Sequence, residues 1–298
     1  MAAPPSDPGP EEQPSQPVPT PDDAEERVGG RNLPVAIAVG VVLAGIFLGS
    51  LFWHPLAFTV VVGSLTLLAY VEAGKVLRPV GIALEVPVLI VATLVMLGGA
   101  YAAGRDGQVV GLVVLFLGGV LWLLADSERR DAVRTLATTC LFGLWVGFLA
   151  SFAVLLRLGE DGTVAALAVI GAAIFTDIGG YAIGVWKGRT PIAPSVSPNK
   201  TWEGLLGGLV FAVGLAVLVL PRVGDTFTPV SAAVIAVVCG LAGFLGDLVE
   251  SMIKRDLGVK DLGDLLPGHG GVLDRVDGIL LALPVGYYAV ELLTQRAL

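Results

Sequence analysis

TLATTCLFGLWVGFLASFAVLL, residues 135–156, runs for 22 residues without a charged side chain. At 1.5 Å per helical residue it reaches about 33 Å, enough to cross a hydrocarbon layer about 30 Å thick. Its apolar side chains do not alternate with polar ones, so it is not a barrel strand. Similar runs recur along the chain, and the pattern predicts nine spans at 33–52, 55–71, 80–102, 108–125, 135–156, 163–186, 204–220, 229–252 and 273–294. With 55% hydrophobic and 15% charged residues and a mean hydropathy of +0.83, the composition excludes an ordinary soluble domain. The fold class expected is all-α, a polytopic transmembrane helical bundle.

The ends and loops divide the chain further. Residues 1–32, rich in Pro, Glu, Asp, Ser and Gln, hold too little apolar surface to offset the entropy of ordering, and a disordered cytoplasmic tail is expected there. The tail has neither the basic start and apolar centre of a signal peptide nor the acid-poor character of a transit peptide, so the first span is expected to do the targeting. Of the net charge of −8, residues 1–31 carry −5 and the rest only −3, which gives no electrostatic signature of a nucleic-acid partner. Cys140 and Cys239 lie in apolar runs without paired-ligand spacing and read as small packing residues. Two connections, 187–203 and 253–272, are long, polar and rich in Gly and Pro. With nine spans, fourteen of the eighteen Lys and Arg fall on one side, and by the positive-inside rule the tail and both long loops are cytoplasmic. The plasma membrane is the expected location. The division expected is a tail (1–32), N-terminal spans (33–160) and a catalytic C-terminal region (161–298).

Charge concentrates in the last third. Asp247 to Asp277 holds seven acids, among them Asp256, Asp261 and Asp264, together with four bases. In GLAGFLGDLVESMIKR, 240–255, Asp247, Glu250, Ser251 and Lys254 recur at helical spacing and share one face, where an unpaired charge in lipid is costly. Asp274 and Asp277 likewise share a face at the start of the last span. Carboxylates converging from two helices suit a hard cation, and Mg²⁺ is commonly held by one or two carboxylates with substrate phosphates. Between them lie Lys254, Arg255 and Lys260, then PGHGG at 267–271, whose glycines allow close backbone approach to a phosphate. Asp177, within FTDIGGYAIGVWKG (175–188), is an intramembrane acid and so a functional candidate, against the alternative of a helix-to-helix hydrogen bond. In SVSPNKTWEG, 195–204, Ser197 and Pro198 predict a helix start that places Lys200 in the first turn beside free amides. Glu72 and Glu85 read as interfacial and His54 as a turn residue; none is assigned to the site.

SMIKRDLGVKDLGDLLPGHGGVLDRVD, 251–277, resembles the signature of the phosphatidate cytidylyltransferase family, with Ser251, Lys254, Arg255, Lys260, Asp261, Pro267, His269, Gly270, Gly271, Asp274, Arg275 and Asp277 at its fixed positions. SPNKTWEG (197–204, with Ser197, Asn199 and Lys200) and GDLVES (246–251) are similar to further family blocks, and residues 1–130 match only as apolar spans. The resemblance implies transfer of a cytidylyl group from CTP to phosphatidic acid, giving CDP-diacylglycerol and pyrophosphate. It implies a metal centre at Asp247 and Asp274 holding Mg²⁺, with K⁺ as second ion, and a homodimer. Lys254, Arg255 and His269 are then expected in catalysis, and Asp177, Arg275 and Asp277 among the substrate-binding groups. The residues alone also fit a CTP-dependent lipid or polyprenol kinase, or more distantly a secondary transporter, although no inverted repeat is evident.

Overall fold

The computed structural model describes residues 33–127, 131–266 and 270–294. The proposed tail and His269 lie outside these residues. Eight helical elements follow in order: α1 (Leu33–Trp53), α2 (Pro55–Leu77), α3 (Val86–Ala125), α4 (Ala132–Leu158), α5 (Gly162–Lys187), α6 (Trp202–Val223), α7 (Pro229–Leu257) and α8 (Leu273–Thr294). A two-stranded hairpin, β1 (Pro191–Ala193) with β2 (Ser197–Thr201), joins α5 to α6. The chain is thus an all-α multi-pass membrane protein, and its outer surface bears exposed apolar side chains such as Val60, Leu94, Leu121, Val210 and Leu218, a distribution suited to lipid and unlike that of a soluble monomer.

Seven of the described helices, α2 to α8, are long and apolar enough to cross a bilayer; the apolar part described for α1, Ile37–Trp53, is shorter. The runs 80–102 and 108–125 share α3, which reverses at Ala103 and Gly104; Gly104 has φ 61° and ψ −140°, a conformation open essentially to glycine alone. Gly99 and Gly107 meet backbone to backbone, and Gly111 lies against Met96, so the two arms form an antiparallel hairpin. The first arm begins six residues later than predicted, because Arg78–Val80 forms a 3₁₀ turn and Gly81 turns left-handed at φ 73°. Within α4 the segment Gly143–Phe148 widens to a π-helix, and the Phe148 carbonyl accepts the Ser151 hydroxyl at 2.6 Å and Gln108 Nε2 at 3.4 Å. Both cysteines are free, and Cys239 is buried.

Helices α5 to α8 approach one another through small residues, the means by which helices associate in lipid. A Cβ on Gly246 would stand 2.7 Å from the Asp277 carbonyl, and one on Gly278 would stand 2.9 Å from that of Gly243; Gly208 faces the Thr176 carbonyl. The first contact sets α7 against α8 at the level of Asp247 and Asp277. Thr228 and Ser231 form a capping box at the start of α7, Pro229 occupies its first turn, and Gly258 ends it at φ 67°. The N-terminal helices pack around Phe58, Tyr70, Leu89, Met96 and Phe152, and the Tyr70 and Thr93 hydroxyls hydrogen-bond at 2.9 Å.

The predicted helix start at Ser197–Pro198 does not form. Those residues lie in β2, paired antiparallel to β1, and α6 begins at Trp202 with the Thr201 hydroxyl accepting from the Gly204 amide at 3.2 Å. Lys200 is therefore on a strand and not in a helical first turn. The hairpin is held from α6 by Glu203, whose carboxylate accepts the Arg189 and Thr190 amides at 3.1 Å and the Thr190 hydroxyl at 2.8 Å. The strand pairing occupies Ser197–Thr201, the residues that a longer α6 would have included.

Candidate active site

The last turns of α7 present the expected face: Ser251 donates to Asp247 at 3.3 Å, and Lys254 to Glu250 at 2.5 Å. From α8, Asp277 reaches the same place, and one oxygen each of Asp247, Glu250 and Asp277 lies within 4.8 Å of the others. Three carboxylates this close repel one another, and two are partly compensated: Lys200 pairs with Asp247, and Lys254 with Glu250. Glu250 is only 1% exposed, yet its Oε1 is buried without a hydrogen-bond partner. A buried, unsatisfied carboxylate oxygen beside two further acids is costly for a folded chain alone and suits a divalent cation, which takes oxygen ligands.

Asp274 stands next to this trio, across Lys254. Its side chain, 2% exposed, accepts from Lys254 Nζ at 3.0 Å, from the Leu262 amide at 3.1 Å and from the Gly271 amide at 3.0 Å. Lys254 thus bridges Glu250 and Asp274, the acids of two helices. Gly270, at φ 80°, lets the chain turn beside Asp261, and the Leu266 amide donates to its carbonyl at 3.0 Å. Arg255, in the last turn of α7, ties that helix end to the hairpin by donating to the Val196 carbonyl at 3.2 Å, and Lys260 is exposed.

Beside the trio opens a cavity of about 340 Å³, lined by Asp177 from α5, Ser197, Asn199 and Lys200 from β2, Asp247 from α7, and Arg275 and Asp277 from α8. Lys200 Nζ also sits 4.8 Å from the centre of the Phe244 ring. A second chamber of about 730 Å³ lies between α1, α2, α4, α5, α6 and α8, and its walls are almost wholly apolar. Ile174, Arg275 and Ile279 line both. Polar, cation-bearing space and apolar space therefore meet at one arginine.

Two acids carry more of this arrangement than the sequence reading gave them. Glu250 joins Asp247 and Asp277, and its place on the Asp247–Lys254 face was the available signal. Glu72, read as interfacial, is 3% exposed and accepts the Leu265 and Val272 amides, each at 2.7 Å. Its signal was position on the packed face of α2, with Ala69 and Ala73, both buried, at helical spacing. Glu85 precedes α3, away from the cavity, and its amide donates to Thr139 at 3.2 Å.

The chain is 34% identical over 279 residues to the phosphatidate cytidylyltransferase of Mycobacterium leprae, covering 89% of each chain. It is 33% identical over 297 residues to that of Mycobacterium tuberculosis H37Rv, covering 95% of this chain and 90% of the relative. It is 30% identical over 293 residues to that of Synechocystis, covering 87% and 96%. The family model described as the cytidylyltransferase family matches residues 34–293, nearly all of the described helices, and the chain belongs to that family.

Proposed function

We infer that this chain transfers the cytidylyl group of CTP to phosphatidic acid, forming CDP-diacylglycerol and releasing pyrophosphate. The observation that carries the reading is the junction at Arg275, where a cavity lined by Asp177, Lys200, Asp247 and Asp277 opens beside an apolar chamber. A water-soluble triphosphate and a diacyl phosphate have opposite solvation needs, and such a junction serves both. The lipid phosphate lies at Arg275 and its acyl chains extend into the chamber, while the triphosphate lies toward Lys200 and the acids.

A phosphate oxygen of phosphatidic acid attacks the α-phosphorus of CTP. The new O–P bond forms as the bond from the α-phosphorus to the bridging oxygen breaks, and that electron pair leaves with pyrophosphate. No covalent enzyme intermediate is required. Asp247, Glu250 and Asp277 would hold Mg²⁺, with K⁺ as the second ion, to offset charge on the transferred phosphoryl group. Asp247 is common to this trio and to the pair expected from the sequence; Asp274, the other member of that pair, adjoins the trio through Lys254. Lys200, Arg255 and Lys260 supply positive charge to the phosphates, and Gly270 and Gly271 give a backbone that His269 accompanies in the sequence. Ser197, Asn199 and Asp177 contact substrate in the cavity, Ser251 steadies Asp247, and Asp261 supports the turn at Gly270. The distribution of Lys and Arg supports a site opening to the cytoplasm from the plasma membrane, in the C-terminal region 161–298, and the family resemblance supports a homodimer.

The test is incubation of the purified protein with CTP labelled at the α-phosphate, phosphatidic acid and Mg²⁺. Label in CDP-diacylglycerol with release of pyrophosphate is expected. Release of CDP with an unlabelled phosphorylated lipid would identify a kinase and overturn the reading.

A further inference from the structure

Glu72 is a buried acid of α2 that takes no part in the transfer described above. The face of α2 that carries it also carries Val62, Leu65 and Ala69, which line the apolar chamber. Ala69 is about one helical turn away, so Glu72 stands where the α2 wall of the chamber ends. Glu72 does not itself line the chamber. Its oxygens are used on the segment that leads into α8: Oε1 accepts the Leu265 amide and Oε2 the Val272 amide, both at 2.7 Å. The two amides belong to opposite arms of one loop, joined by the bridge of Leu266 with Gly270. Each arm gives the chamber one apolar side chain, Leu266 beside Leu265, and Val272 itself. Neither lines the cavity that holds Lys200 and Asp247.

Val272 carries a second connection. Its carbonyl accepts the Arg275 amide at 3.1 Å, and Arg275 is the residue at which chamber and cavity meet. A buried carboxylate is expensive unless its oxygens are satisfied, and among the described residues Glu72 makes no ion pair. Backbone amides satisfy it instead, through hydrogen bonds that a carboxylate makes short and strong. Its helix is immobilised by Phe58, Tyr70 and Ala73, each fully buried, so the wall residues are referenced to a packed element. Asp274 supplies a separate hold on the Leu262 and Gly271 amides, and the amides that depend on Glu72 are those of Leu265 and Val272.

We propose that Glu72 is a positioning residue for the lipid substrate, holding Leu266 and Val272 as the end wall of the apolar chamber beside Arg275. This rests on the cytidylyl-transfer reading, in which the acyl chains of phosphatidic acid occupy that chamber. Glu72 touches neither substrate. It acts through the two side chains it places and through the backbone of Val272, so its loss weakens use of phosphatidic acid more than use of CTP.

The experiment uses the full chain in mixed detergent micelles in which the mole fraction of phosphatidic acid is varied, with steady-state kinetics on Glu72→Gln. Glutamine keeps the shape but turns one acceptor into a donor facing an N–H. KM for phosphatidic acid should rise about tenfold and KM for CTP by less than about twofold, a split that general loss of structure would not give. A rise no larger for phosphatidic acid than for CTP would overturn the proposal. Leu266→Ala leaves both amides and their acceptor in place and removes only a wall side chain. It should raise KM for phosphatidic acid about threefold with that for CTP unchanged, and an unchanged KM for phosphatidic acid would count against the wall. Hydrogen exchange on the unsubstituted protein decides the matter if Glu72→Gln does not fold. Phosphatidic acid without CTP should slow exchange of the Leu265 and Val272 amides about threefold, and unchanged exchange would overturn the proposal. If the unsubstituted protein makes no CDP-diacylglycerol, the functional reading fails separately, and the same exchange measurement still decides whether this loop borders a lipid site.

Discussion

At Glu250 the demands of folding and function oppose each other. Its carboxylate is 1% exposed, close to Asp247 and Asp277, with one oxygen unsatisfied. Glu250→Gln removes a negative charge from the trio while Lys254 keeps Asp274, so the melting temperature of the metal-free protein should stay level or rise as activity is lost. Thermal unfolding and CDP-diacylglycerol formation measured on the same sample test this. Asp247→Asn should lower turnover by about 10²-fold or more, with no recovery in excess Mg²⁺; near-normal turnover would remove Asp247 from the centre. At this scale helical spacing made the Asp247–Lys254 face legible, because residues three and four apart on one helix are neighbours whatever surrounds them. It could not separate Asp277 from Asp274, both on the first turns of α8. That choice depends on which one meets Lys254 and the Leu262 and Gly271 amides.

Among the elements, the α3 hairpin and the α7–α8 contact each depend on glycine for a different reason. Gly104 turns the chain in a conformation that a Cβ makes unfavourable, so Gly104→Ala should cost about 1–3 kcal/mol, read as a lower melting temperature, with both KM values unchanged. Gly246 instead allows α8 to approach, and the Cβ of any other residue would stand 2.7 Å from the Asp277 carbonyl. Gly246→Leu should therefore part Asp247 from Asp277 and abolish turnover even where the protein remains folded and monodisperse in detergent. Both outcomes can be followed by thermal unfolding beside the activity assay. The apolar runs revealed these elements because a bilayer enforces helical backbone wherever it is crossed. The misread start of α6 shows the limit: Ser197–Pro198 is a sound local helix signal, and strand pairing with Pro191–Ala193 overrode it.

Across the whole molecule, the proposed topology places Ser195 and Asp225, at opposite ends of α6 and both exposed, on opposite faces of the membrane. With Cys140 and Cys239 replaced by Ala, a membrane-impermeant thiol reagent outside intact cells should label Asp225→Cys and leave Ser195→Cys unlabelled until the membrane is opened. The reverse pattern would invert the orientation. Sequence alone determined the class of molecule, the helical runs and the concentration of acids and bases in 247–277, since hydropathy, charge and helical period are local properties of the chain. Tertiary structure decided which acids converge, that Lys200 comes from a strand to meet Asp247, and that Arg275 joins a polar cavity to an apolar chamber. It also brought Glu72 to a loop some 200 residues away in sequence, at Val272. Each of these is a contact between segments distant along the chain, and its existence depends on how helices pack, which no single segment specifies.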